Sequence, residues 1–360
     1  SMEPDRAALE RLDVIWAAAA ALTDVDVMVS ASLQARHLIE ALRVQEPGRL
    51  AAALSMYVRS VAFQGMRSRE RVQKLLIAAR QAAEVVATPY ARAMFSLAQQ
   101  AAFEVDRQWD RAIASLDQAE DLLRRQCTGV YWELSFLHMS RLALLRTRGN
   151  QLAIARFVGG VLTEARLRGD IFTQARLGIL VEPDAHMFGD RPREARAAIR
   201  RIRCQWLRGD FPAQLMLAGA AECNLDLYMG HGWTAYRRLQ RYWPFLKRSM
   251  FMRVEIVRAF AYQYRAAAAL AASEDRPGLR AQLFTSARRD IARLDRERDE
   301  KWHVSADTLR AAMACHEGDR ERTLSLLARA RAWNEREGEL TQATAIRRYE
   351  VLIGGGPDAN

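Results

Sequence analysis

The chain has 360 residues, half of them hydrophobic and 27% charged, a balance that excludes a disordered polymer. Its longest apolar stretch, Val14 to Leu22, is too short to span a bilayer as a helix. The net charge of +11 is nearly all arginine, because Lys74, Lys247 and Lys301 are the only lysines. The excess of arginine is read first as the coding bias of a GC-rich genome and only second as an anion-binding surface, because basic residues are mixed with acids along most helices as on ordinary solvated faces.

Ser1-Met2 carries no signal-peptide pattern, and a Ser ahead of a Met reads as the scar of an engineered N-terminus. The folded region is therefore expected over 3–353 as a single domain, with 354–360 a flexible tail. From residue 5 onward apolar residues recur at three and four positions, and no stretch alternates with period two, which predicts helix almost throughout. Helix pairs are expected at about 5–44, 48–86, 89–127, 130–168, 171–208, 212–247, 250–296 and 301–336, with a last helix near 340–353. Pro4, Pro47, Pro89, Pro192, Pro212 and Pro277 stand where helices should begin, a place that tolerates the missing N–H. Gly65, Gly149, Gly169, Gly189, Gly209, Gly230 and Gly318 stand where helices should end. Asn150, Asp170, Asp190, Asp210 and Asp319 follow as expected caps of the next helix.

On the second helix of each pair a small-large-small triplet recurs about every 41 residues. The sets are Val72/Leu76/Ala79, Ala112/Leu116/Ala119, Ala153/Phe157/Gly160, Ala195/Ile199/Ile202, Ala235/Leu239/Tyr242 and Thr323/Leu327/Ala330, with one more pair around Ala281. Such a period predicts a helical solenoid, in which each unit buries its face on its neighbours instead of in one central core.

These A-x3-L-x2-A triplets after G-D/N turns resemble tetratricopeptide (TPR) repeats, although the Trp, Gly and Tyr of the first TPR helix are mostly absent. Longer tracts are similar to the C-terminal regions of large bacterial serine/threonine protein kinases. They are QARHLIEALRVQEPGRLAAAL (34–54), RRQCTGVYWELSF (124–136), EARLRGDIFTQARL (164–177) and the run from Leu225 to Ser273. The resemblance covers about residues 8–353. It implies an all-α fold, a right-handed α-solenoid of about eight TPR-like antiparallel helix pairs. It also implies a cytoplasmic sensing or docking module attached in cis to a kinase domain.

The kinase machinery itself is absent from the chain. There is no glycine-rich nucleotide loop, no V-A-I-K lysine, no H-R-D loop and no D-F-G metal site, so no catalytic residue is expected. Six histidines show no i,i+3 or i,i+4 pairing, and four cysteines form no C-x-x-C pair. Neither a metal site nor any other cofactor is expected. Arg124 and Arg125 beside Cys127 could lower a thiol pKa, but packing is the favoured role for that residue. The dense aromatic run Tyr228, Trp233, Tyr236, Tyr242, Trp243 and Phe245 is read as a filled junction between repeats, with base stacking as the alternative.

Two sets of residues remain as candidates for binding. Glu104, His138, Asn224 and Tyr228 fall on first helices at positions expected to face a groove, where they could meet a protein, a peptide or a small ligand. Asn224 leads, as an amide on an otherwise apolar helix. Arg196, Arg200 and Arg203 share a helical face with Arg193 inside Arg191–Arg208, a segment with seven arginines against Glu194. That face supports an alternative, a stand-alone effector that binds nucleic acid or acidic partners.

Overall fold

The computed structural model describes residues 5–23, 26–149, 151–206 and 212–355. Ser1, Met2, Pro4, Asn150, Gly209, Asp210 and 356–360 of the expected tail lie outside the described residues. Among the described residues there are seventeen α-helices, three short 3-10 turns and no strand. In chain order the helices are α1 (Arg6–Leu22), α2 (Val27–Val44), α3 (Pro47–Ala62), α4 (Arg69–Val86), α5 (Pro89–Val105), α6 (Trp109–Gln126), α7 (Tyr131–Arg148), α8 (Gln151–Leu167) and α9 (Ile171–Phe188). There follow α10 (Pro192–Trp206), α11 (Pro212–Tyr228), α12 (Gly232–Arg248), α13 (Glu255–Asp275), α14 (Arg280–Leu294), α15 (Glu300–His316), α16 (Arg320–Glu337) and α17 (Leu340–Gly354).

Local chemistry explains the boundaries. Pro47 and Pro89 open their helices, behind Glu46 and Thr88 whose side chains accept from first-turn N–H groups. Asp170 caps α9 by accepting from the Thr173 N–H at 2.9 Å, and Asp319 caps α16 by accepting from the Arg322 N–H at 3.0 Å. Gly65, Gly149, Gly169, Gly230 and Gly318 all take the left-handed conformation after a helix. Gly189 does not. The left-handed residue there is Asp190, whose carboxylate accepts from the Tyr228 hydroxyl instead of capping α10. Pro277 opens a 3-10 turn ahead of α14, while Pro183 and Pro244 sit inside α9 and α12.

Most triplets occupy the packing positions expected of them. Ala112, Leu116 and Ala119 are fully buried, as are Val72 and Ala79, and Ala195, Ile199, Ile202, Thr323, Leu327 and Ala330 nearly so. One expectation fails by register. On α8 the buried set is Ile154, Val158 and Val161, one residue on from Ala153, Phe157 and exposed Gly160. The further pair around Ala281 is α13 with α14, on which Leu283, Phe284, Ala287 and Ile291 turn inward.

The described residues divide into two compact units, Ser1–Leu144 with Phe211–Ala213 and Leu145–Asp210 with Gln214–Asn360. In each, the core is a series of small clusters shared by neighbouring helices. The first unit gathers Met56, Met94, Leu97, Leu116, Leu123 and Leu137. Trp16 of α1 meets Trp132 of α7 edge-on at 5.3 Å, and the Trp132 indole N–H donates to the Ala20 carbonyl at 3.0 Å. The second unit gathers Ala266, Leu270, Phe284, Ile291, Trp302 and Met313. Beside them lies a buried ion pair, in which Arg265 grips Asp290 with two N–H groups beneath the Trp243 ring, 3.6 Å from its centroid.

Polar ties repeat with the period of the triplets. Arg69 to Asp106, Arg59 to Gln100 and Tyr90 to Glu133 span 37, 41 and 43 residues within the first unit. Tyr228 to Asp190, Arg258 to Glu297, Asn224 to Tyr264 and the Trp233 N–H to Asp275 span 38, 39, 40 and 42 in the second. Ties about one repeat apart in sequence are what the packing of successive helix pairs in a helical repeat produces.

Candidate binding faces on the first helices

In the first unit the first helices of three successive pairs are joined by one guanidinium. Arg59 on α3 is only 8% exposed. It donates to the Leu97 carbonyl at 2.7 Å and to Gln100 Oε1 at 2.9 Å, both on α5, and to Ser140 Oγ on α7 at 3.0 Å. Its charge lies 4.0 Å over the centre of the Phe136 ring. Gln100 hands the chain of bonds on, donating from Nε2 to Glu104 at 2.6 Å. Burial lowers the Arg59 pKa to about 9, with the Glu104 charge opposing, so the group stays cationic at neutral pH. Its Nε meets no acceptor. Glu104, a sequence candidate, is thus tied to Arg59 through Gln100.

His138 is buried and turned toward α6, with Nε2 3.4 Å from Glu120 and 3.4 Å from Arg124. Arg141 completes this cluster, donating to Glu120 at 3.0 Å and to Asp117 at 2.6 Å. His138, Arg124 and Arg141 together hold the Glu120 carboxylate down to about pKa 2, against the opposing effect of burial. Cys127 behaves differently from what its neighbours in sequence suggest. Arg124 and Arg125 are taken up by Glu120 and Asp121, and burial together with Glu133 pushes the thiol up, not down.

In the second unit Asn224 on α11 donates through Nδ2 to the Tyr264 hydroxyl on α13 at 3.1 Å. Asp184 on α9 pairs with Arg146, from the last turn of α7, at 2.8 Å. Burial raises the Asp184 pKa, and Arg146 pulls it back. Burial also raises the Tyr264 pKa, and the hydroxyl senses the charges of Asp184 and Arg146. Asp184, Asn224 and Tyr264 stand 40 residues apart in turn, equivalent positions on three consecutive first helices. One turn along α13, Phe260 is 40% exposed and packs edge-on against Trp302 at 5.1 Å. Ile256, another turn on, is also exposed. Tyr228 is 47% exposed and donates to Asp190 at 2.7 Å.

No known family model matches this chain, and no curated protein or solved structure does. The face is therefore legible only through its own chemistry, which combines an amide, a phenol, a partly protected carboxylate and open aromatic surface. Among the described residues no group of three His, Cys, Asp or Glu side chains could hold a metal ion, and no helix is long and apolar enough to cross a membrane.

The arginine face of α10 is divided. Arg203 donates to Glu222 on α11, and Arg196 lies 3.7 Å from buried Asp226. Arg238 on α12 reaches both acids, at 2.6 Å and 3.0 Å. Arg200 is exposed, as is Arg193. The aromatic run after Tyr228 mostly fills space. Trp243 is buried, Trp233 and Tyr236 pack on the second unit's main core, and Phe245 alone of α12's aromatics turns outward.

Sequence reasoning misses Arg59, Gln100, Ser140, Asp184 and Tyr264. The signal that finds them is the 40- to 41-residue period itself, applied to polar residues on first helices instead of to small residues on second helices.

Proposed function

We propose that this chain is a non-catalytic binding scaffold of TPR-like kind, a right-handed solenoid of about eight antiparallel helix pairs. Its first-helix face in the second unit takes a peptide, a protein segment or a small ligand, and passes that state to a serine/threonine kinase domain attached in cis. The observation that carries this reading is the repeated polar position Asp184, Asn224 and Tyr264, flanked by exposed Phe260 and Ile256. Polar groups at a half-open apolar face orient a partner, while the aromatic surface supplies the buried area.

Two experiments test it. Panning a random twelve-residue peptide library against the chain yields binders that are lost in Asn224→Ala and Phe260→Ala and kept in Arg237→Glu. Binders indifferent to the first pair refute the proposed face. Incubation with labelled ATP and a generic protein substrate gives no phosphate transfer, and robust transfer refutes the non-catalytic role.

A further inference from the structure

Helices α10 and α12 carry ten cationic side chains against the single carboxylate of Glu194. These two helices therefore hold nine of the eleven net positive charges of the chain. They are neighbours, because both helices send an arginine to Glu222 on α11. Four of the ten cations, Arg196, Arg201, Arg203 and Arg238, share the three carboxylates of Asp226, Glu182 and Glu222. The other six, Arg193, Arg200, Arg237, Arg241, Lys247 and Arg248, are exposed and form no ion pair among the described residues.

On α12 Arg237, Arg241, Phe245 and Arg248 recur at i, i+4, i+8 and i+11 and form one exposed stripe. Arg241 lies four residues before Phe245 and Arg248 three residues after it, so a guanidinium stands about one turn to either side of an aromatic ring that is 40% exposed. We propose that this surface binds the phosphate backbone of single-stranded nucleic acid, with a base stacked on Phe245. Guanidinium groups match phosphate oxygens in pairs, and an exposed ring between cations is a sequence-tolerant stacking platform.

The surface does not suit the other polyanions. An interfacial helix must offer an apolar face to lipid, but Ala235, Trp243 and Leu246 of α12 are buried inside the protein. A protein partner needs an uncharged, well-packed interface centre, and Phe245 is the only large apolar side chain in the stripe. The inference concerns the second helices and stands apart from the first-helix face proposed above.

The test is fluorescence anisotropy of a labelled twenty-nucleotide single strand titrated with the full chain. Six phosphate contacts predict a loss of affinity of about 300-fold between about 50 mM and about 200 mM salt. The triple reversal of Arg237, Arg241 and Arg248 to Glu abolishes binding with an unchanged circular-dichroism spectrum, and Phe245→Ala weakens it about tenfold. No anisotropy change at the lower salt overturns the proposal. So does preference for phosphatidylserine vesicles or poly-glutamate over the oligonucleotide, or undiminished binding by the triple reversal.

Discussion

The Thr341 hydroxyl, at the start of α17, donates to the backbone carbonyl of Arg146, 195 residues earlier in the chain. The last helix of the second unit thus meets the unit's first residues, and the same contact presses Thr341 onto Gly149. A β-carbon at Gly149 would stand 3.0 Å from the Thr341 hydroxyl oxygen and 3.1 Å from its backbone nitrogen.

Gly149 also has φ +71°, so alanine there meets both a strained backbone and an occupied space. Gly149→Ala should destabilise the second unit by about 2–3 kcal/mol, against about 1 kcal/mol for Gly318→Ala, which has φ +79° and open surroundings. Urea unfolding followed by tryptophan fluorescence measures both. Equal losses would remove the return of α17 from the account.

Gly232 marks the closest approach of α12 to α13. A β-carbon there would fall 2.3 Å from the Ala271 carbonyl carbon and 2.5 Å from the Ala272 nitrogen, and neither is a side chain that can turn away. Gly232→Ala should cost at least about 3 kcal/mol, because the two backbones must separate. Thermal melting by circular dichroism reads the loss, and a melting temperature within a few degrees of wild type would show that the helices are not packed this closely.

Glu120 gives the first unit an acid-sensitive joint. Its pKa is about 2 in the fold, against an ordinary 4.5. The stabilisation is fully present above pH 4.5 and is lost as pH falls toward 2, since the unfolded chain takes up the proton first. Discounted for solvent screening at the partly exposed carboxylate, the size is on the order of 1–2 kcal/mol. Glu120→Gln should be less stable at pH 7 and should flatten the stability profile between pH 4.5 and 2, measured by denaturant titration across that range. A profile as steep as wild type would assign the acid sensitivity to other groups.

Thiol reactivity should follow exposure and not sequence context. Cys204 and Cys315 are exposed, Cys127 is half-buried with its pKa raised, and Cys223 is buried with its thiol pushed up to about 12 by burial. Timed alkylation at pH 8 with mass spectrometry should label Cys204 and Cys315 first, then Cys127, and Cys223 only after unfolding. Early labelling of Cys127 would mean that Arg124 and Arg125 act on it after all.

Helix boundaries are legible in this sequence because their punctuation is chemical: Pro47 and Pro89 stand at the first turn, where the missing N–H costs nothing, and Asp170 and Asp319 satisfy N–H groups that the helix leaves open. Register on α8 is not legible. Its run LAIARFVGGVL offers two helical faces one residue apart, Ala153/Phe157/Gly160 and Ile154/Val158/Val161, and only the neighbouring helices select the second. Asp190 escapes for a similar reason, since aspartate tolerates the left-handed region that Gly189 leaves unused. In the candidate faces, Asn224 stands out as an amide among apolar residues. Tyr264 and Arg59 do not, because one tyrosine or one arginine among many becomes distinctive only beside its equivalent one repeat away.

The most direct test is hydrogen–deuterium exchange of the chain with and without a peptide selected by panning. The account predicts slowed exchange in α11 and α13, around Asn224 and from Ile256 to Tyr264, with α10 and α12 unchanged. Protection confined to α10 and α12, or absent from α11 and α13 at saturating peptide, would contradict it.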